Sequence, residues 1–87
     1  MGYNMEIVSS PKDFKQINNY LGEQVEVEFR DGRIAMGKLV FFNWQQQIIH
    51  ISDYKIMKPE DNSDGYSKKE GRLYIINYKD WKTVAVP

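Results

Sequence analysis

The alternation of apolar and polar residues predicts a chain built mainly of β-strands. From Gln24 onward, Val25, Val27 and Phe29 alternate with charged residues, which is the pattern of a strand with one face in water. Further β-prone runs follow, and we expect five strands, over 24–30, 33–42, 47–57, 72–77 and 81–86. Because no helical pattern separates these runs, the sheet is expected to be antiparallel.

A helix is predicted before the first strand. Ser10 offers a capping hydroxyl, and Pro11 suits the first helical position. Phe14, Ile17 and Leu21 recur at spacings of three and four, so they form one apolar stripe. We expect a helix from Pro11 to Leu21 whose stripe covers the open end of a core.

Glycine and polar residues mark the connections. Asp31-Gly32 predicts a tight hairpin turn, because both residues tolerate positive φ angles. Gly37, inside the second strand, allows a sharp bend or a close approach to another strand. The polar run 59–71 is expected to be a variable loop, and residues 1–8, which show no clear period, a loosely held start. The expected fold is mainly β: an N-terminal helix, then a strongly bent five-stranded antiparallel small barrel.

Length and composition restrict the class of protein. A chain of 87 residues suits a single domain, and 12 Lys and Arg against 12 Asp and Glu give a net charge of zero, so any contact with nucleic acid has to be local. The absence of cysteine excludes disulfides and Cys-based zinc sites and fits a reducing compartment. The longest apolar stretch, Leu39–Phe42, is far too short to cross a bilayer, and no signal-peptide pattern is visible. We expect a cytoplasmic protein without a membrane segment.

Catalytic and cofactor motifs are missing. The single histidine, His50, lies among isoleucines without an evident base, nucleophile or metal partner. The glycines follow neither P-loop nor dinucleotide spacing, and no serine stands in a nucleophile elbow. The acidic run 60–65 resembles the start of a calcium loop, but Gly71 stands where a bidentate glutamate is needed. We therefore expect no enzyme activity, no cofactor and no metal; an enzyme would need a polar pocket that the sequence does not indicate.

Two turns carry the remaining chemistry. They run Asn43-Trp44-Gln45-Gln46-Gln47 and Asn77-Tyr78-Lys79-Asp80-Trp81. Amide side chains can pair with base edges, and flat aromatic rings can stack on unpaired bases. The alternative is that these aromatic residues plug the barrel or anchor a protein interface.

The last two predicted strands bear on assembly. Leu73–Ile76 and Trp81–Val86 are apolar and have few of the charges that protect an exposed sheet edge. If the edge of one copy pairs with the opposite edge of the next, the head-to-tail contact can close into a ring. The alternative is that both edges pair within a closed monomeric barrel.

Short segments between Phe14 and Val86 match two known motifs, the first in both residue type and spacing. The first motif corresponds to Tyr20-Leu21-Gly22, Val25-Glu26-Val27, Arg30-Asp31-Gly32-Arg33, Gly37-Lys38-Leu39, Phe42-Asn43 and Ile48-Ile49, and the second to Leu73-Tyr74-Ile75-Ile76-Asn77-Tyr78 with Val84. In these segments the sequence resembles the Sm and Sm-like (LSm) family, the relatives of bacterial Hfq. The resemblance implies a helix capping a bent barrel, rings of six or seven subunits joined through the fourth and fifth strands, and uridine-rich single-stranded RNA bound at the pore by the two turns.

The base-reading positions differ from the family pattern. Asn43, Gln45 and Gln47 stand where the family usually has aspartate, a stacking residue and asparagine, and Asn77-Tyr78 replaces arginine-glycine. The loss of the arginine reduces cation stacking, whereas Lys79 restores one positive charge per subunit. The candidate RNA-binding residues are Asn43, Trp44, Gln45, Gln47, Asn77, Tyr78 and Lys79.

The resemblance therefore leads to two expectations. The first is a homomeric ring, with seven as the expected subunit number, that binds single-stranded RNA in RNA processing or metabolism. The alternative is a homo-oligomeric scaffold that keeps the fold for protein assembly and has lost RNA binding. Whether two rings stack on each other stays open.

Overall fold

The computed structural model describes residues 5–59 and 66–87, which form one 3₁₀ helix and six antiparallel strands. The helix spans Pro11–Tyr20, and the strands are β1 Glu6–Val8, β2 Gln24–Phe29, β3 Ile34–Asn43, β4 Ile48–Pro59, β5 Tyr66–Ile76 and β6 Trp81–Val86. These strands make one bent sheet in the order β1-β6-β2-β3-β4-β5. The predicted fold class, mainly β with a helix and a strongly bent antiparallel sheet, is confirmed, with one more strand than the sequence pattern indicated.

Two segments predicted to be irregular are strands. Residues 6–8, expected in a loose start, form β1 and pair with β6. β5 begins at Tyr66 instead of Arg72 and pairs with β4 as far as Pro59. β5 includes polar residues because its length is set by backbone pairing with the long strand β4 and not by an alternating side-chain pattern. Of the predicted loop, residues 60–65, including the calcium-like run, lie outside the described residues, as do residues 1–4.

The helix has a period of three residues. Its first turn is closed by the backbone carbonyl of Ser10, which accepts a hydrogen bond from the amide three residues on at 2.8 Å, and the Ser10 hydroxyl makes none of the expected capping bonds. Three residues per turn bring Phe14, Ile17 and Tyr20 into line. The first two are buried, and Tyr20 packs against the core. Leu21, expected on the apolar stripe, lies beyond the helix and is exposed.

The predicted hairpin between β2 and β3 is present, with a longer loop than two residues. The amide of Phe29 donates to the carbonyl of Arg33 at 2.8 Å, and Gly32 has a φ of 96°. The Arg33 guanidinium donates to the Asp31 carboxylate at 2.9 Å. Burial of this guanidinium favours a lower pKa, but the hydrogen bonds and charges of Asp31 and Tyr74 together outweigh it, so the pKa of Arg33 lies above its ordinary value.

Gly37 allows the close approach between strands that the sequence predicted. A Cβ atom at this position would lie 2.9 Å from the carbonyl oxygen of Ser52 on β4. The pairing of β3 with β4 shifts register next to it, between Met36 and Lys38. Any side chain larger than hydrogen would therefore push β3 and β4 apart where the sheet bends.

The core lies inside the bent sheet and beneath the helix. Among the described residues, no polar or charged side chain is buried. The largest fully buried side chains are Trp81, Phe29, Ile17, Leu39, Ile49, Ile51 and Ile76. Within residues 5–59 and 66–87, no helix has the length and hydrophobicity to cross a bilayer.

Candidate nucleic-acid interface

The two turns named in the sequence analysis lie side by side. The indole Nε1 of Trp81, at the start of β6, donates a hydrogen bond of 2.8 Å to the backbone carbonyl of Gln47, at the end of the β3–β4 turn. The Trp81 ring is buried, with ring centroids 4.8 Å from Phe14 and 6.2 Å from Phe42. Trp81 is therefore a core residue whose indole N–H group also links the two turns.

Two asparagine side chains shape these turns from within. The Oδ1 atom of Asn43 accepts hydrogen bonds from the amides of Gln45 and Gln46 at 3.0 and 2.9 Å. The Oδ1 atom of Asn77 accepts one from the amide of Lys79 at 3.1 Å. Asparagine commonly closes turns in this way, because its side chain replaces a backbone acceptor. Both oxygens are thus engaged within the protein, and the amide nitrogens remain as donors.

An open depression of about 540 Å³ lies between the turns. Most of its lining residues have polar side chains, and they include one aromatic ring, one cation and one aliphatic residue: Gln45, Gln46, Gln47, Ile48, Asn77, Tyr78 and Lys79. Tyr78 is 54% exposed, so much of its ring is open to solvent. Five of the seven predicted residues line this depression. Asn43, the last residue of β3, does not line the depression and instead stabilises the β3–β4 turn through its side-chain oxygen.

Trp44 is not brought into this depression. Its ring is 41% exposed, and the Nζ atom of Lys15 on the helix lies 5.8 Å from the ring centroid. A separate depression beside the helix is lined by Lys12, Lys15, Gln16, Asn18, Asn19 and Trp44. Tyr78 is therefore the aromatic residue that can offer a stacking face in the depression between the turns.

Gln46 and Ile48 line the depression without having been selected from the sequence. Gln46 belongs to the first turn, and its amide type is the signal that would have found it. Ile48 is the first residue of β4 and is half-buried, so its side chain supplies an apolar wall. An apolar residue at the start of a strand gives no sequence signal of ligand contact, because most such residues serve packing.

The chemistry of the depression suits an unpaired base with its phosphate. Gln47 carries both a donor and an acceptor, Tyr78 a flat face, and Lys79 a positive charge. His50 lies elsewhere, on β4, with its ring centroid 4.6 Å from that of Phe41. In the part of the chain that the structure describes, no three His, Asp or Glu side chains lie close enough together to hold a metal ion.

Comparison with known proteins identifies the fold. No protein-family model and no curated protein matches the chain. A chain in the crystal structure of the NatC complex bound to CoA matches with a TM-score of 0.63 and 18% identity, over 82% of this chain and 83% of that chain. The SmAP (LSm) protein from Methanococcus vannielii matches with a TM-score of 0.67 and 15% identity, over 91% of this chain and 100% of that chain. Similarity at such identities concerns the fold. The chain therefore has an Sm-like fold.

Proposed function

We propose that this chain is a non-enzymatic Sm-like protein that forms a homomeric ring and binds single-stranded RNA at the depression between its two turns. The observation that carries the proposal is the convergence of Gln47, Tyr78 and Lys79, held by the bond from Trp81 to the Gln47 carbonyl, on an Sm-like fold. Seven is the expected subunit number, the expected role is in RNA processing or metabolism, and the expected location is the cytoplasm.

Each part of the depression has a role in this proposal. Stacking of a base on Tyr78 contributes about 1–3 kcal/mol, with little dependence on the base. The Gln47 amide supplies hydrogen bonds to a base edge, which gives preference among bases. Lys79, repeated around a ring, makes a circle of positive charge on a protein whose net charge is zero. Binding is therefore expected to weaken as salt rises.

Binding of labelled oligouridylate and of mixed-sequence RNA, measured by fluorescence anisotropy at low and moderate salt, tests the proposal. Tyr78→Ala removes the stacking face, so we expect Kd to rise about 5- to 150-fold. Gln47→Asn keeps an amide that tolerates the φ of 57° at this position but shortens its reach, so discrimination between the two RNAs should fall. Lys79→Ala should reduce the salt dependence of binding.

Trp44→Ala is the matched control for Tyr78→Ala. It removes an exposed aromatic ring from the same pair of turns but outside the depression, so the Kd is expected to stay within twofold of the parent. Absence of binding to both RNAs at low salt would reject the RNA function. Equal weakening by Trp44→Ala and Tyr78→Ala would reject the assigned site.

A scaffold for protein assembly is the second candidate. It is supported by the match to a chain of the NatC complex, by the zero net charge and by the exposed Leu73 and Ile75 on β5. The absorbance ratio of the purified protein and the effect of nuclease on its size distinguish the two. Nucleic-acid-free protein whose assembly resists nuclease and which binds neither RNA would favour the scaffold.

A further inference from the structure

One edge of the sheet is covered by a strand of only three residues. β1 lies against β6 with the pairs Glu6↔Val86, Ile7↔Ala85 and Val8↔Val84. Val8 is buried against the core, but Ile7 is 68% exposed. The first half of β6, Trp81–Thr83, has no partner from β1. β1 therefore rests on one buried side chain and three paired positions.

The start of β1 is loosely packed. Met5, the residue before it, lies beside an open depression of about 410 Å³ whose other walls come from β2, β3 and the C-terminal Pro87. Met5 is only half-buried beside this depression, and Glu6 and Ile7 are exposed. Segments with few buried contacts open most easily. β1 is thus the least anchored strand among those that the structure describes.

The opposite edge of the sheet is long and apolar near its end. β5 has 11 residues and pairs with β4 on one side, and no other described strand pairs with it. Leu73 and Ile75 are 53% and 57% exposed on this strand. An edge strand that has one unpaired side and apolar side chains is a template for pairing with another chain.

We infer that β1 is an exchangeable strand: in the single chain it occupies the edge of β6 to which β5 of a second copy adds in the assembled ring. The inference rests on the proposed ring, because the two edges that it brings together are the two ends of the same sheet. β1 pairing and β5 addition then exclude each other along Val84–Val86.

Because β1 belongs to the same chain as β6, it outcompetes β5 of a second copy at low protein concentration. At high protein concentration this advantage is lost. As part of the same chain, β1 competes at an effective concentration that is typically millimolar for a short flexible link. An incoming β5 offers more paired positions and buries Leu73 and Ile75, and mass action favours it as the protein concentration rises. The chain therefore has a built-in threshold concentration for assembly.

A disulfide that locks β1 onto β6 tests this inference. The chain has no cysteine, so Ile7→Cys with Ala85→Cys creates a single pair at directly opposed positions. The oxidised protein is expected to stay at the mass of one chain at concentrations where the same protein, reduced, assembles. Phe41→Cys with His50→Cys, opposed on β3 and β4 and away from both β1 and β6, is the control whose oxidation should leave assembly unchanged.

A second pair of variants loosens β1. Val8→Asp puts a charge at the one buried side chain of β1, so half-assembly should occur at about tenfold lower concentration. Ile7→Asp changes the exposed neighbour and is expected to shift half-assembly less than twofold. Light scattering over a dilution series measures both.

The outcomes separate this inference from the proposed ring. Equal assembly of the oxidised and reduced Ile7→Cys, Ala85→Cys protein, or failure of that disulfide to form, would overturn the exchange and leave the ring intact. Val8→Asp protein that stays at the mass of one chain at every concentration would overturn the ring and the exchange together.

Discussion

Trp81 links the core of this protein to its candidate binding site. Its ring fills the space between the helix and β3, and its Nε1–H group reaches the Gln47 carbonyl on the neighbouring turn. Gln47 itself has a φ of 57°, a backbone conformation that non-glycine residues adopt at a cost. The hydrogen bond from Trp81 helps to hold the turn in this conformation. The position of the Gln47 amide therefore depends on a residue that no ligand needs to touch.

Replacing Trp81 with phenylalanine tests this link. Trp81→Phe keeps an aromatic ring in the core but leaves the Gln47 carbonyl without its donor, so we expect the free energy of unfolding to fall by about 1–3 kcal/mol. Trp44→Phe, at an exposed position, should change it by less than about 0.5 kcal/mol. Urea unfolding followed by circular dichroism measures both, and equal midpoints for the two variants would show that the bond does not hold the turns.

Residue type in the two turns indicates side chains that lie close together, but it does not distinguish the two tryptophans. Amides, aromatic rings and cations suit RNA, and Gln47, Tyr78 and Lys79, which carry these groups, line one depression. Trp44 and Trp81 both border these turns in the sequence, yet one is exposed beside the helix and the other is buried. Which way a side chain points from a turn depends on backbone angles that composition does not specify.

The helix shows how period decides which side chains reach the core. An α-helix would place Leu21 on the stripe with Phe14 and Ile17, whereas the observed 3₁₀ period places Tyr20 there. Tyr20→Ala is expected to lower the free energy of unfolding by roughly 2 kcal/mol, which is less than for a fully buried aromatic residue. Leu21→Ala should cost less than about 0.5 kcal/mol. A larger cost for Leu21→Ala, in urea unfolding, would indicate an α-helical stripe.

Strands with strong side-chain patterns were predicted well, and strands formed by pairing alone were not. β2 and β6 have the expected bounds to within one residue, because the apolar residues of β2 alternate and β6 is a short run of apolar and β-branched residues. β1 and the first half of β5 lack such alternation and exist because β6 and β4 present free backbone groups to them. Pairing between distant segments cannot be found from local period.

At the scale of the whole molecule, the sheet presents two unequal edges. β5 is long, with exposed Leu73 and Ile75, and β6 is half covered by β1. A chain of 87 residues buries a modest fraction of its surface, so in the proposed ring the pairing of these edges between copies would add stability that the single chain lacks. In that ring the depression would repeat once per subunit, and weak contacts by single subunits would add up on one RNA strand.

The solution mass, measured by light scattering across a dilution series, tests the ring most directly. We expect one chain mass at low concentration and a single discrete assembly, of about seven chain masses, at high concentration. A mass of one chain at every concentration, both for the parent protein and for Val8→Asp, would contradict the ring and remove the shared RNA site that depends on it.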